Sequence, residues 1–126
     1  MANTPPQSAF GLPYSTIRQA GDYYYLSGHI GIDASKQAAP DIAAQTAAVF
    51  ENIAASLQQY GLRMNDIIKT TVFLADMDDF AAMNDVYVTY FDEPRPARST
   101  VAVRELPRIG DTPLKVEIEA VAYKPS

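Results

Sequence analysis

Ile67-Ile68-Lys69-Thr70-Thr71-Val72-Phe73-Leu74 is the stretch on which the fold turns. It is rich in β-branched residues and bounded by polar clusters, so it reads as a strand that is largely buried. A segment with helical spacing lies on each side. Upstream, Ile42, Thr46, Val49, Phe50, Ile53, Leu57 and Tyr60 recur at intervals of 4, 3, 1, 3, 4 and 3, one face of a 3.6-residue period. Asp41 stands where an N-cap belongs, and Gly61 where a C′ glycine belongs. Downstream, a second helix starts near Asp78, carries Phe80, Met83, Tyr87 and Phe91 inward, and is ended by Pro94 and Pro96.

Further out, residues 15–28 read as a hairpin with Gly21-Asp22 at its turn and the strand-prone Tyr23-Tyr24-Tyr25-Leu26 after it. Gly28 to Pro40 reads as turn and loop, and residues 1–13, with three prolines, as an extended leader. Two more strands follow the second helix, Ser99–Val103 and Leu114–Tyr123. The order β-β-α-β-α-β-β predicts an α+β domain spanning residues 1–126, with a mixed sheet and both helices on one face. No third helix remains to cover the other face, which predicts self-association through it.

The 126 residues hold ten Lys and Arg against fifteen Asp and Glu, a net charge of −5. Phosphate backbones repel such a chain, so no nucleic-acid partner is expected. No apolar run approaches the ~20 residues that cross a bilayer, and the N-terminus shows no signal-peptide pattern, so no membrane partner is expected and a cytoplasmic location is. With no cysteine there is no disulfide, thiol nucleophile or zinc–thiolate site. His29 is the only histidine, so neither a His–His metal pair nor a Ser-His-Asp relay is expected, and His29 is read as structural or as merely near a site.

Three features can carry chemistry. In the last strand Lys115, Glu117 and Glu119 project to one face, and Val116, Ile118 and Ala120 to the other. Two glutamates on a strand face signal either a solvated surface or a carboxylate tuned for proton transfer. In Arg95-Pro96-Ala97-Arg98-Ser99-Thr100, Arg98 follows a stiff Pro-Ala and opens a strand. Its planar fork matches a carboxylate, as a ligand group or as one half of a salt bridge. Asn84 lies mid-helix among apolar residues, as a buried hydrogen-bonding group or as part of a pocket lining.

These residues belong to a wider set. Pro13-Tyr14-Ser15, Ser27-Gly28-His29, Asp41 with Gln45, Asn52, Met83-Asn84-x-x-Tyr87, Pro96-Ala97-Arg98-Ser99, Leu106-Pro107 and Val116-Glu117-Ile118-Glu119-Ala120 together resemble the RidA/YjgF family of imine and enamine deaminases, once described as L-PSP endoribonucleases. The resemblance runs from about residue 10 to residue 123. It implies a chorismate-mutase-like fold and a homotrimer with clefts between subunits. It implies that Arg98 grips the substrate carboxylate and Glu117 holds the attacking water. Tyr14 and Asn84 would line the cleft, Ser27 and Gly28 would pack beside the substrate, and Thr100 would stand next to the reacting carbon. No cofactor and no metal are implied.

The expected reaction is hydrolysis of small 2-imino or enamine acids, such as 2-iminopropanoate and 2-iminobutanoate, to 2-oxo acids and ammonia. The alternatives are a different enamine acid, such as 2-aminomuconate, and a trimer that binds a small carboxylate without turning it over. Ribonuclease action fits poorly with the negative charge and the single histidine. Family members often carry Gln at the position of His29 and Cys at that of Thr100, and the loop Arg104–Pro113 is longer than usual. These departures bear on which substrate the pocket takes.

Overall fold

The computed structural model describes residues 11–126. The strands are β1 (Ile17–Ala20), β2 (Tyr23–Ile30), β3 (Ile67–Leu74), β4 (Ala97–Ala102) and β5 (Val116–Tyr123), and the helices are α1 (Ile42–Gln58) and α2 (Phe80–Tyr87). The expected order of elements holds. The strands form one sheet in the order β1-β2-β5-β3-β4, antiparallel except for the parallel β3–β4 pair. Parallel neighbours need a crossover, and α2 supplies it.

Asp41 caps α1, its carboxylate accepting from the Ala44 amide at 2.8 Å. Past the other end, Gly61 takes a left-handed φ of 71°, letting the chain turn back so that the Leu62 amide donates to the Leu57 carbonyl at 3.0 Å. The helical stripe read from sequence is the core: Val49, Phe50, Ile53 and Leu57 are fully buried against Val72, Leu74, Val116, Ile118 and Ala122. The alternate residues of β3 and β5, among them Thr71, Phe73, Glu117 and Glu119, point to the opposite face, which no helix among the described residues covers. No helix among the described residues is long and apolar enough to cross a membrane.

Several boundaries differ from the sequence reading. β2 continues to Ile30 instead of giving way to loop at Gly28, because His29 and Ile30 pair with Ile118 and Glu117 beyond a bulge after Leu26. β4 begins at Ala97, two residues early, and β5 at Val116, two residues late. The second helix is shorter than its apolar spacing suggests, with single 3₁₀ turns at Met77–Asp79 and Val88–Tyr90 on either side. Phe80 is not a core residue: it is 39% exposed and faces Arg98, whereas Met83, Tyr87 and Phe91 are buried as expected. Most of the expected leader, residues 1–10, lies outside the described residues.

Candidate active site

Three of the expected site residues meet at one cavity. Tyr14, Ser27 and Gly28 line a space of about 430 Å³ between β2 and α1, together with Ile30, Ile32 and Ile109. The bulge that carries Ser27 and Gly28 is pinned from several sides. The Ser27 amide donates to the Thr16 carbonyl at 2.9 Å, and its hydroxyl to the Ser15 carbonyl at 2.6 Å. Beyond the bulge, Asn52 of α1 donates to the carbonyls of Ile30 and Ile32, both at 2.9 Å.

His29 completes the clamp. Its Nδ1 lies 2.7 Å from the Ser27 carbonyl, which can only accept, so Nδ1 carries the proton. Nε2 must then accept from the Ser56 hydroxyl, 2.8 Å away. Burial pushes the His29 pKa down, against the Ser27 hydrogen bond that raises it. The single histidine therefore does pair with a serine, but a backbone carbonyl and not an aspartate stands at its other nitrogen.

Gly28 also makes room for Glu117. A Cβ at residue 28 would collide with the Glu117 carboxylate, so glycine here leaves the Glu117 side chain its present position over the bulge. Burial raises the Glu117 pKa, and the neighbouring Glu119 carboxylate raises it further. A half-buried carboxyl group of this kind holds its proton more readily than one in water, which suits a group that takes and returns protons near neutrality. Of the two glutamates that the strand pattern left open, Glu117 is half-buried and Glu119 exposed.

Arg98 lies elsewhere. It projects from β4 toward α2, with its guanidinium carbon 4.7 Å from the Tyr87 ring centre and 5.6 Å from that of Phe80. Among the described residues it has no ion pair; the one such pair is Arg95–Glu93, exposed and 4.0 Å long. Thr100, two residues on, shares its side of β4. Asn84 shares the α2 face of Phe80 and Tyr87, and its Oδ1 is buried with no donor among the described residues.

The expected site residues thus fall into two groups. Glu117, Gly28, Ser27 and Tyr14 form one; Arg98, Thr100 and Asn84 form the other. β3 separates β5 from β4, a span of roughly 10 Å at the usual strand spacing, and the two charged groups leave opposite faces of the sheet. The chain alone does not bring them together. Among the described residues no three His, Asp or Glu side chains gather as a metal site requires.

Sequence reasoning missed the polar framework behind the cavity. Gln45, fully buried, donates to the carbonyls of Ala39 and Pro113 and accepts from the Lys115 amide, fixing the approach to β5. A glutamine beside the apolar stripe of α1 was the available signal.

Comparison with known proteins gives a consistent picture. The sequence profile described as Endoribonuclease L-PSP matches residues 6–124. A RutC family protein of Pyrococcus horikoshii is 46% identical over 114 residues, 89% of this chain and 87% of its own length. A 2-iminobutanoate/2-iminopropanoate deaminase of Salmonella typhimurium is 40% identical over 116 residues, 89% of this chain and 88% of its own. The crystal structure of RidA from an Antarctic Psychrobacter superimposes with a TM-score of 0.85 at 36% identity, covering 97% of both chains.

Proposed function

The chain is a member of the L-PSP family, also called YjgF/RidA, and from that premise we propose that it hydrolyses 2-imino and enamine acids to 2-oxo acids and ammonia. 2-Iminopropanoate and 2-iminobutanoate are the substrates we assign first. The observation that carries the reading is the division of the site: a cation with no partner charge among the described residues stands on one side of the sheet, and a carboxyl group of raised pKa on the other. Each is half of a deaminase site, and a second copy of the chain supplies the missing half. A homotrimer with three such clefts meets this need and also covers the helix-free face.

In the cleft, Arg98 binds the substrate carboxylate through its planar fork. The electrophilic carbon is then one bond from a fixed point. Glu117 of the adjoining copy takes a proton from water as the oxygen attacks that carbon, giving a carbinolamine. That proton returns to the nitrogen, Glu117 then carries the carbinolamine hydroxyl proton to the same nitrogen, the C–N bond breaks, ammonia leaves and the carbonyl forms. Water enters and ammonia departs, so the reaction balances without a redox partner. An imine hydrolyses readily, and positioning with proton management is the help it needs. Asn84 Oδ1 offers an acceptor for a substrate N–H, and Tyr14, Ser27, Gly28 and Thr100 shape the cleft. A cytoplasmic location belongs to the same proposal.

A larger enamine acid of the 2-aminomuconate kind is the second reading; the cavity of about 430 Å³ beside Ser27 and Gly28 is not lined by Arg98, Glu117, Asn84 or Thr100 and does not set the size of the substrate. The test is production of 2-oxo acid from 2-iminobutanoate generated in situ, with wild type and with Arg98→Ala. Acceleration by wild type alone supports the proposal; acceleration by neither, with 2-aminomuconate turned over instead, moves the assignment to the larger acid. Equal acceleration by both removes Arg98 from the site.

A further inference from the structure

An arginine that grips a carboxylate edge-on must have its own plane fixed without spending its N–H donors. A carboxylate partner would hold Arg98 but occupy those donors. An aromatic face holds a guanidinium by stacking and leaves all five N–H bonds in the free plane. Arg98 has the second arrangement. Its guanidinium lies over Tyr87 and beside Phe80, and among the described residues no carboxylate pairs with it.

Tyr87 is itself held. Its hydroxyl is 2.7 Å from Thr70 Oγ1, and Thr70 is the residue directly opposite Arg98 in the parallel β3–β4 ladder. Its ring packs edge-on against Phe50 at 5.4 Å and at a tilt against Phe91 at 5.0 Å, and the residue is 5% exposed. Burial raises the phenol pKa, so Tyr87 stays neutral and meets Arg98 through its ring.

We propose that Tyr87 is a positioning residue: its ring, locked by the Thr70 hydroxyl and the aromatic core, sets the plane of the Arg98 guanidinium and so the orientation of the bound carboxylate. The inference rests on the reading of Arg98 as the carboxylate-binding group. It assigns Thr70–Tyr87–Arg98 as one unit that carries the geometry of the core out to the cleft.

The experiment compares Tyr87→Leu, Tyr87→Phe, Thr70→Val and the packing control Phe91→Leu. It measures kcat and KM for 2-iminobutanoate, inhibition by 2-oxobutanoate as a carboxylate probe, and thermal unfolding. Tyr87→Leu is expected to raise KM and weaken 2-oxobutanoate inhibition about tenfold, with a smaller change in kcat. Tyr87→Phe keeps the ring but, like Thr70→Val, breaks the Thr70 hydrogen bond, and should change both by about threefold, well short of the Tyr87→Leu effect. Phe91→Leu should lower the unfolding temperature and leave KM alone. In an Arg98→Lys background, whose ammonium has no plane to orient, Tyr87→Leu should add less than about twofold.

Equal effects of Tyr87→Leu and Phe91→Leu on KM overturn the proposal, as does the same loss in Arg98→Lys as in wild type. If Tyr87→Leu does not fold, Thr70→Val decides, since it unlocks the ring without emptying the core: a KM raised about threefold supports the proposal and an unchanged KM overturns it. Unaltered 2-oxobutanoate inhibition in Arg98→Ala is a different failure, that of the underlying reading of Arg98.

Discussion

Arg98 and Glu117 leave opposite faces of one sheet from strands that are not neighbours, so neither residue can complete a site with the other inside a single chain. The first expectation follows from this separation. Arg98→Ala and Glu117→Gln should each be strongly impaired alone, yet co-expressed they should form mixed oligomers in which some clefts keep both native residues. Random assembly at equal amounts leaves about a quarter of clefts intact, and about a quarter of wild-type turnover should return. No recovery in a demonstrated mixed oligomer would sink the shared-cleft reading.

Glu117→Gln should slow hydrolysis by about 10²–10³-fold. It should also stabilise the protein at neutral pH. The folded pKa of Glu117 is raised, so the fold favours its protonated form; that contribution is present below the unfolded pKa and lost as pH rises through the folded one. At pH 7 the ionised carboxylate is therefore a burden on stability that glutamine removes. Unfolding temperatures of the two proteins should converge as the pH falls below the ordinary glutamate pKa.

Gly28→Ala separates fold from function in another way. The added methyl meets the end of the flexible Glu117 side chain rather than backbone, so the chain can yield. Stability should change by no more than about 1 kcal/mol. Turnover should fall about 100-fold, because a displacement of the order of an ångström is enough to misplace a catalytic group. Paired calorimetry and rate measurements check it; a large loss of stability with activity retained per folded molecule would contradict it.

His29 gives a pH dependence of opposite sense. Its folded pKa is lowered, so stability present above the unfolded value, near 6.5, should be lost as pH falls from there through the folded pKa. His29→Gln should flatten that loss between pH 5 and 7. Thermal unfolding of wild type and variant across this range is the measurement, and parallel curves would remove His29 from the account.

Much of the architecture was legible because periodicity reports burial directly: the stripe from Val49 to Leu57 and the alternation from Val116 to Ala122 are both core in the structure. What misled was competition between local signals and long-range pairing. Ser27-Gly28-His29 resembles a turn until β5 is placed beside it, and Phe80 fits the helical stripe but serves a cation instead of the core. Glu117 and Arg98 stood out in sequence as odd residues in strand positions. Their placement on opposite faces could not be read, because it depends on which side of β4 faces α2. The Ser56–His29 contact and the contacts of Gln45 to Pro113 and Lys115 join residues 27 to 70 positions apart, beyond the reach of spacing rules.

The sheet order has a consequence for how the chain is made. β5 follows every other strand in sequence yet lies at the centre, between β2 and β3. Until it emerges from the ribosome, the β1–β2 hairpin and the β3–β4 pair are two fragments with open hydrogen-bonding edges and nothing to join them. Synthesis therefore leaves a vulnerable interval that closes only near its end, when one segment delivers the central strand, the core residues Val116 and Ile118, and Glu117 together. A nascent chain stalled before residue 116 would display two open strand edges and lack Glu117, a natural target for chaperones.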